Sequence, residues 1–130
     1  MNRPTHTVVT GAKREEPQRS ALDFLASDVL LSGDEVMFRD SVRMFVADRI
    51  LPGINEWFEA GRFPLELAPE MGSLGLLGTQ LHGYGCPGST ATMYGLACLE
   101  LEGGDSGFRS FVSVQGSLVM FPIWKYGSEE

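Results

Sequence analysis

Cysteines, basic residues and long apolar runs are all scarce in this sequence, and each shortage excludes a class of protein. Its two cysteines, Cys86 and Cys98, are too few and too far apart for a disulfide framework or a zinc site, so we predict two reduced thiols. The chain has 10 basic residues against 17 acidic ones, a net charge of −7, and no basic cluster. This balance argues against nucleic acid and anionic membranes as partners.

The sequence also lacks a membrane span and a secretory signal. No apolar run approaches the roughly 18 residues of a transmembrane helix, and TVV is the only apolar run before residue 21. A cytoplasmic location is therefore expected. Glu15 and Glu16 interrupt the basic residues of the leader, which favours a bacterial cytoplasm over the alternative, a mitochondrial matrix. Residues 1–20 have no period and are predicted to be a disordered leader, and residues 21–130 one domain.

What the sequence does contain is a series of helical patterns separated by glycine and proline. Signals that begin a helix occur at three places, namely Ser32 with Glu35 as a capping box, Pro64, and Ser89 or Thr90. Pro52 should end or kink the first of these helices, and Gly103-Gly104 should end the third. The patterns together predict an all-α fold.

The most unusual pattern runs from Asp105 to Met120. At about 100° per residue, apolar side chains gather on one side of this helix, namely Phe108, Phe111, Val112, Leu118 and Val119. The other side carries serines, flanked by Arg109 and Gly116: Ser106, Ser110, Ser113 and Ser117. Pro122 is expected to break the helix and to begin a shorter turn that packs Ile123 and Trp124.

A solvent-facing helix would normally carry Lys and Glu, so we expect something to approach the serine-lined face closely. One candidate is a second helix, with Arg109 paired to Asp105 or to Glu102. The other is a ligand with a carboxylate, because Arg109 offers a planar fork of donors and Ser113 adds a hydroxyl one turn further on. The pattern alone favours the helix slightly and leaves both candidates open.

Residues Gly83 to Gly88 match the G-x-G-x-x-G pattern of dinucleotide-binding loops, and Glu102 lies near the distance of a ribose ligand. That mechanism needs a parallel strand before the glycines and another after the helix, whereas the segment after Gly104 is again helical. We therefore expect no nucleotide site in this stretch. His82 beside it has no acid or second histidine nearby and is expected to be a surface or satisfied residue.

Several blocks of the sequence together resemble one family. They are LGLLG, HGYGCPG, YGLACLELE, DSGFRSFVSVQGSLVM and PIWKYGSEE. In this order and at these spacings they resemble the N-terminal helical-bundle domain of the flavin-dependent acyl-CoA dehydrogenases, over about Leu31 to Glu130. The block from Asp105 to Ser117 looks most like the glutaryl-CoA dehydrogenase branch. The resemblance implies a homotetrameric FAD enzyme that converts glutaryl-CoA, an acyl-CoA thioester, to crotonyl-CoA by oxidation and decarboxylation.

The resemblance also implies roles for four residues. Arg109 would clamp the distal carboxylate of the substrate, Ser110 and Ser113 would be hydroxyl contacts, and Glu102 would orient or tune Arg109. The family's β-domain and C-terminal helical domain are absent from the sequence, so no catalytic, FAD-binding or metal residue is assigned. The 130-residue chain alone is expected to be inactive and to bind FAD poorly.

Ser128-Glu129-Glu130 resembles the start of a helix, so we expect the natural polypeptide to continue. One alternative function is a stand-alone helical interaction module that has lost catalysis, and its former domain interface would be repolarised. The other is a dehydrogenase for a different short acyl-CoA.

Overall fold

The computed structural model describes residues 26–129 and is helical over most of that range. It divides after Leu30 into two units, and the first contributes one described element, the 3-10 helix Ser27–Leu30. All elements below belong to the second unit. The predicted disordered leader, residues 1–20, lies outside the described residues. So does Glu130 of the predicted terminal helix start, while Ser128 and Glu129 are not helical.

Six α-helices account for most of the second unit within the described range. They are α1 Gly33–Phe45, α2 Ile54–Glu59, α3 Ala68–Ser73, α4 Ala91–Gly104, α5 Ser106–Val114 and α6 Phe121–Tyr126. A 3-10 turn, Leu65–Leu67, leads into α3. Two short strands, β1 His82–Gly83 and β2 Cys86–Pro87, form an antiparallel hairpin between α3 and α4. The predicted all-α class is confirmed, with this hairpin as its only described strand pair.

Side-chain caps begin the longer helices. The hydroxyl of Ser32 accepts the Glu35 N–H at 3.3 Å, and the Glu35 carboxylate accepts the Ser32 N–H at 2.8 Å, so the predicted capping box is confirmed. Thr90, rather than Ser89, caps α4. Asp105 both ends α4 and caps α5, so that a single residue connects the two helices. They consequently lie side by side and antiparallel.

Each of two prolines follows a π-helical segment. One segment, Val46–Ile50, ends two residues before Pro52. The other, Gln115–Met120, ends two residues before Pro122. In both, the residue before the proline donates its N–H to the carbonyl five positions earlier. A wider turn leaves room for a proline ring that would otherwise clash with the carbonyl four residues back. The prediction that Pro122 breaks the helix is therefore wrong, because the chain stays helical from Ser106 to Tyr126.

The core lies between α1, its π-helical continuation, α3, α4 and α5. Its fully buried apolar side chains are Val42, Ile50, Met71, Leu76, Ala97, Leu101, Phe108 and Val112. The Phe108 ring is central to it, with ring centroids of Phe63 at 4.9 Å and Trp57 at 6.0 Å. Because these side chains are buried together, α5 packs against α4. The serine-lined face of α5 begins at this contact.

The apolar face predicted for residues 105–120 is correct in its first half and wrong in its second. Phe108 and Val112 are buried, whereas Leu118 is 69% exposed and Val119 is 39% exposed. The π turns advance by fewer degrees per residue than an α-helix, so the phase of the pattern shifts after Val114. Ile123, predicted to pack, is also exposed. No helix in residues 26–129 has the length and apolar character to cross a membrane.

Candidate functional site

The candidate site lies along the contact between α4 and α5. On α4, Tyr94, Cys98 and Glu102 follow each other at intervals of four residues and therefore share one face. On α5, Arg109 and Ser113 have the same spacing. Because the helices are antiparallel, Glu102 lies opposite Arg109 and Tyr94 lies opposite Ser113. We call these five residues the polar seam.

Arg109 and Glu102 form the charged end of the polar seam. The Arg109 Nε donates to the Glu102 Oε2 at 2.6 Å, and the two side chains are 37% and 49% exposed. Of the two acids considered from the sequence, Glu102 is thus the partner, because the Asp105 carboxylate caps α5 instead. The hydrogen bond to Glu102 and the negative charge of that carboxylate raise the pKa of Arg109. Arg109 therefore stays fully charged at neutral pH.

This contact uses only one side of the guanidinium group. Among residues 26–129, no oxygen atom accepts a hydrogen bond from the two terminal nitrogens of Arg109. Those nitrogens form the planar edge with which an arginine holds a carboxylate through two parallel bonds. The second helix expected from the sequence is therefore present as α4, and it leaves the two terminal nitrogens of Arg109 without an acceptor among the described residues.

The serines of α5 and its continuation have different environments. The hydroxyl groups of Ser113 and Tyr94 are 3.1 Å apart, and both residues are half-buried. Ser117 donates to the carbonyl of Ser113 at 2.6 Å, within its own helix. Ser110 is half-buried and directly follows Arg109, while Ser106 is exposed at the helix start. The structure thus pairs Arg109 with Glu102 and places Ser113 one helical turn after Arg109, against Tyr94. Ser110 is next to Arg109 in sequence and has no contact to this pair among the hydrogen bonds of the described residues.

Tyr94 is the residue of this site that sequence reasoning missed. Its signal was its position eight residues before Glu102, which is two helical repeats of four on the same face. It also lines a cleft of about 320 Å³, together with Ser117 and Trp124. Gly116 also borders this cleft, and a Cβ there would make only an ordinary contact, at 3.9 Å from the Gly78 amide nitrogen. The cleft is large enough for part of a small ligand.

The glycine-rich stretch lies outside the polar seam. Residues 83–88 contain the end of β1, the turn, β2 and the residue after it, and not the strand–loop–helix unit that dinucleotide binding requires. His82 is exposed, as predicted, and its carbonyl accepts the Trp124 Nε1–H at 2.9 Å. Both cysteines are free thiols. Across the described residues, no group of three or more His, Cys, Asp or Glu side chains could hold a metal ion.

Comparison with known proteins identifies the class to which this helical domain belongs. The model of the acyl-CoA dehydrogenase N-terminal domain matches residues 32–130. The mitochondrial long-chain specific acyl-CoA dehydrogenase of Sus scrofa is 32% identical over 120 residues, which cover 89% of this chain and 27% of that protein. An acyl-CoA dehydrogenase of Bacillus subtilis is 32% identical over 98 residues, which cover 75% of this chain and 26% of that protein.

Two solved structures also match this chain, with higher sequence identity than the relatives above. A crystal structure of a glutaryl-CoA dehydrogenase from Mycobacterium smegmatis, in complex with FADH2, superposes with a TM-score of 0.78 at 59% identity. The match covers 80% of this chain and 27% of that one. A second structure of a glutaryl-CoA dehydrogenase from the same organism matches at 57% identity with a TM-score of 0.75.

The chain belongs to the acyl-CoA dehydrogenase family and contains its N-terminal helical domain. It is similar to the glutaryl-CoA dehydrogenase of M. smegmatis and spans 27% of the length of that protein.

Proposed function

We propose that this chain is the N-terminal part of a FAD-dependent glutaryl-CoA dehydrogenase and that it binds the distal carboxylate of glutaryl-CoA. The observation that carries the proposal is the Arg109–Glu102 pair, in which Nε is bound and the two terminal nitrogens have no acceptor among the described residues. The 59% identity to the M. smegmatis enzyme supports the choice of substrate. The whole protein is proposed to be a homotetramer in the bacterial cytoplasm.

Each residue of the site has a role in this proposal. Arg109 clamps the distal carboxylate through its terminal nitrogens, a charge-assisted and bidentate contact. Glu102 holds the guanidinium from the side and so fixes the direction of those nitrogens. Ser110 and Ser113 offer hydroxyl donors to the same carboxylate. Arg109 is partly exposed in this chain. Its contact with the carboxylate would become stronger when the rest of the enzyme and the substrate exclude water.

The proposed reaction is oxidation of the thioester at its α- and β-carbons, followed by loss of carbon dioxide to give crotonyl-CoA. Bound FAD supplies the hydride acceptor in this chemistry. The glycine-rich pattern forms an antiparallel hairpin and not a dinucleotide-binding loop. We assign neither FAD nor the catalytic base to residues of this chain. Its contribution is placement, because a clamped distal end fixes the position of the α-carbon.

The surface of the last helical segment supports the dehydrogenase over a stand-alone interaction module. Leu118 and Ile123 are 69% and 66% exposed, and Trp124 is 40% exposed. A module that had lost its former domains would be expected to carry polar residues on such a surface. Its apolar character instead fits a face that further parts of the protein cover.

The first test is the effect of Arg109→Ala in the full-length enzyme. We expect kcat/KM for glutaryl-CoA to fall by at least about 100-fold, because the carboxylate loses its charged partner. Butyryl-CoA, which lacks the distal carboxylate, is the matched substrate, and its kcat/KM should change by less than about threefold. Equal losses with both substrates would overturn the proposed carboxylate clamp. A higher kcat/KM of the parent enzyme for another short acyl-CoA than for glutaryl-CoA would favour the alternative dehydrogenase.

The second test is the intact mass of the protein isolated from its source. A glutaryl-CoA dehydrogenase requires a species several times larger than the 14.2 kDa of this chain. A native species of 14.2 kDa would overturn the dehydrogenase and would favour the interaction module.

A further inference from the structure

The hydroxyl of Ser113 differs from those of three other helical serines in this protein. Ser41, Ser73 and Ser117 each donate to the carbonyl of the residue four positions earlier, at 2.9, 3.0 and 2.6 Å. This is the usual local bond of a serine inside a helix. Ser113 makes no such bond within the described residues, and its hydroxyl instead meets the Tyr94 hydroxyl at 3.1 Å. A contact from α4 thus replaces the local bond.

The position of Tyr94 connects this contact to the charged end of the polar seam. Tyr94 shares a face of α4 with Cys98 and Glu102, and that face is turned toward α5. Ser113 follows Arg109 by one turn on the same face of α5. The phenol therefore reaches the proposed carboxylate site through Ser113.

We propose that Tyr94 is a positioning residue that prepares Ser113 to donate a hydrogen bond to the substrate's distal carboxylate. This inference rests on the proposed function. A serine hydroxyl has one proton and two lone pairs, and a carboxylate only accepts. When Tyr94 donates its phenol proton to Ser113 Oγ, the Ser113 proton remains available for the carboxylate. Without Tyr94, that proton would be used within the helix, as it is at Ser117.

The test is a double-mutant cycle of Tyr94→Phe and Ser113→Ala in the full-length enzyme. Tyr94→Phe keeps the ring and removes only the hydroxyl. We expect it to lower kcat/KM for glutaryl-CoA by about 5- to 20-fold, mainly through KM, and to change the value for butyryl-CoA by less than about twofold. Ser113→Ala should have a similar effect, and the double variant should be no worse than Ser113→Ala, because Tyr94 acts through Ser113.

Control variants separate this role from a structural one. Tyr126→Phe removes the hydroxyl of an 80% exposed tyrosine and should leave both substrates unaffected. Ser41→Ala removes a serine that bonds only within its helix and should also be neutral. Losses that add up in the double variant, or that are equal for both substrates, would overturn the positioning role.

Arg109→Ala distinguishes failure of this inference from failure of the proposed function. If Arg109→Ala is selective for glutaryl-CoA and Tyr94→Phe is not, only the role of Tyr94 is wrong. If Arg109→Ala is itself unselective, the carboxylate clamp is wrong and the role of Tyr94 is overturned with it.

Discussion

Gly104, the last residue of α4, lies against Val46 of the first π-helical segment. A Cβ at Gly104 would be 2.7 Å from the Val46 Cγ1, closer than carbon atoms can approach without a shift. Val46 is buried and β-branched, so its side chain has little freedom to move. The absence of a side chain at residue 104 therefore sets how closely α4 packs on the continuation of α1.

Gly104→Ala is accordingly expected to destabilise the chain by about 1–3 kcal/mol, the usual cost of overpacking. Gly95→Ala is the matched control in the same helix, because a Cβ there meets no atom within 4 Å. The control should stabilise the chain by about 0.5–1 kcal/mol, since alanine favours the helix interior. Urea unfolding measures both. A shift of both variants in the same direction would contradict the close contact with Val46.

Phe108→Ala should cause one of the largest losses of stability in the chain. The Phe108 side chain is 1% exposed and packs against Phe63 and Trp57, so its removal leaves a cavity in the core. We expect a loss of about 3–5 kcal/mol in the free energy of unfolding. Phe58→Ala, at a phenylalanine that is 79% exposed, should change it by less than about 1 kcal/mol. Comparable losses in both variants would show that Phe108 is not central to the core.

Glu102→Gln should separate stability from substrate recognition. The Arg109–Glu102 pair is half-exposed, so loss of its charge should change the free energy of unfolding by less than about 1 kcal/mol. The neutral amide holds the guanidinium less firmly, and kcat/KM for glutaryl-CoA in the full-length enzyme should fall by about tenfold. Butyryl-CoA again serves as the control substrate. An unchanged preference for glutaryl-CoA would contradict the orienting role of Glu102.

Stability should decrease in acid, and the α1 capping box should contribute to that decrease. The Ser32 amide and then the Ser32 hydroxyl lower the pKa of Glu35 below its ordinary value of 4.5. A carboxyl whose pKa is lower in the folded than in the unfolded chain stabilises the fold above its unfolded pKa. That stabilisation is lost as the pH falls through the folded pKa. The Arg49 side chain lowers the pKa of Glu70, so the contribution of Glu70 to stability should also be lost in acid.

Urea unfolding between about pH 6 and pH 3 measures this dependence. Glu35→Gln should show a smaller loss of stability over that interval than the parent chain. Ser32→Ala should cost about 1 kcal/mol at neutral pH and less at pH 3, because the cap has then already weakened. A pH dependence identical in all three chains would contradict a contribution from the capping box.

The sequence was sufficient for features that depend on neighbours a few residues apart. The capping box of Ser32 and Glu35, a cap at Ser89 or Thr90, and the all-α class follow from local hydrogen bonds and periodicity. The apolar pattern predicted the burial of Phe108 and Val112 correctly. The serine-lined pattern and the family resemblance both singled out Arg109, whose role stays a proposal.

Only the tertiary structure decided the partners of that site and the course of the helix after Val114. Asp105 and Glu102 were both within reach of Arg109, and the antiparallel packing of α4 on α5 selects Glu102. The same packing brings Tyr94 to Ser113, a contact between residues 19 positions apart that no local pattern encodes. Leu118 is exposed because the π turns change the helical phase of the residues after Val114. Local rules fix where a helix begins, whereas its partners and its final phase depend on how the helices pack.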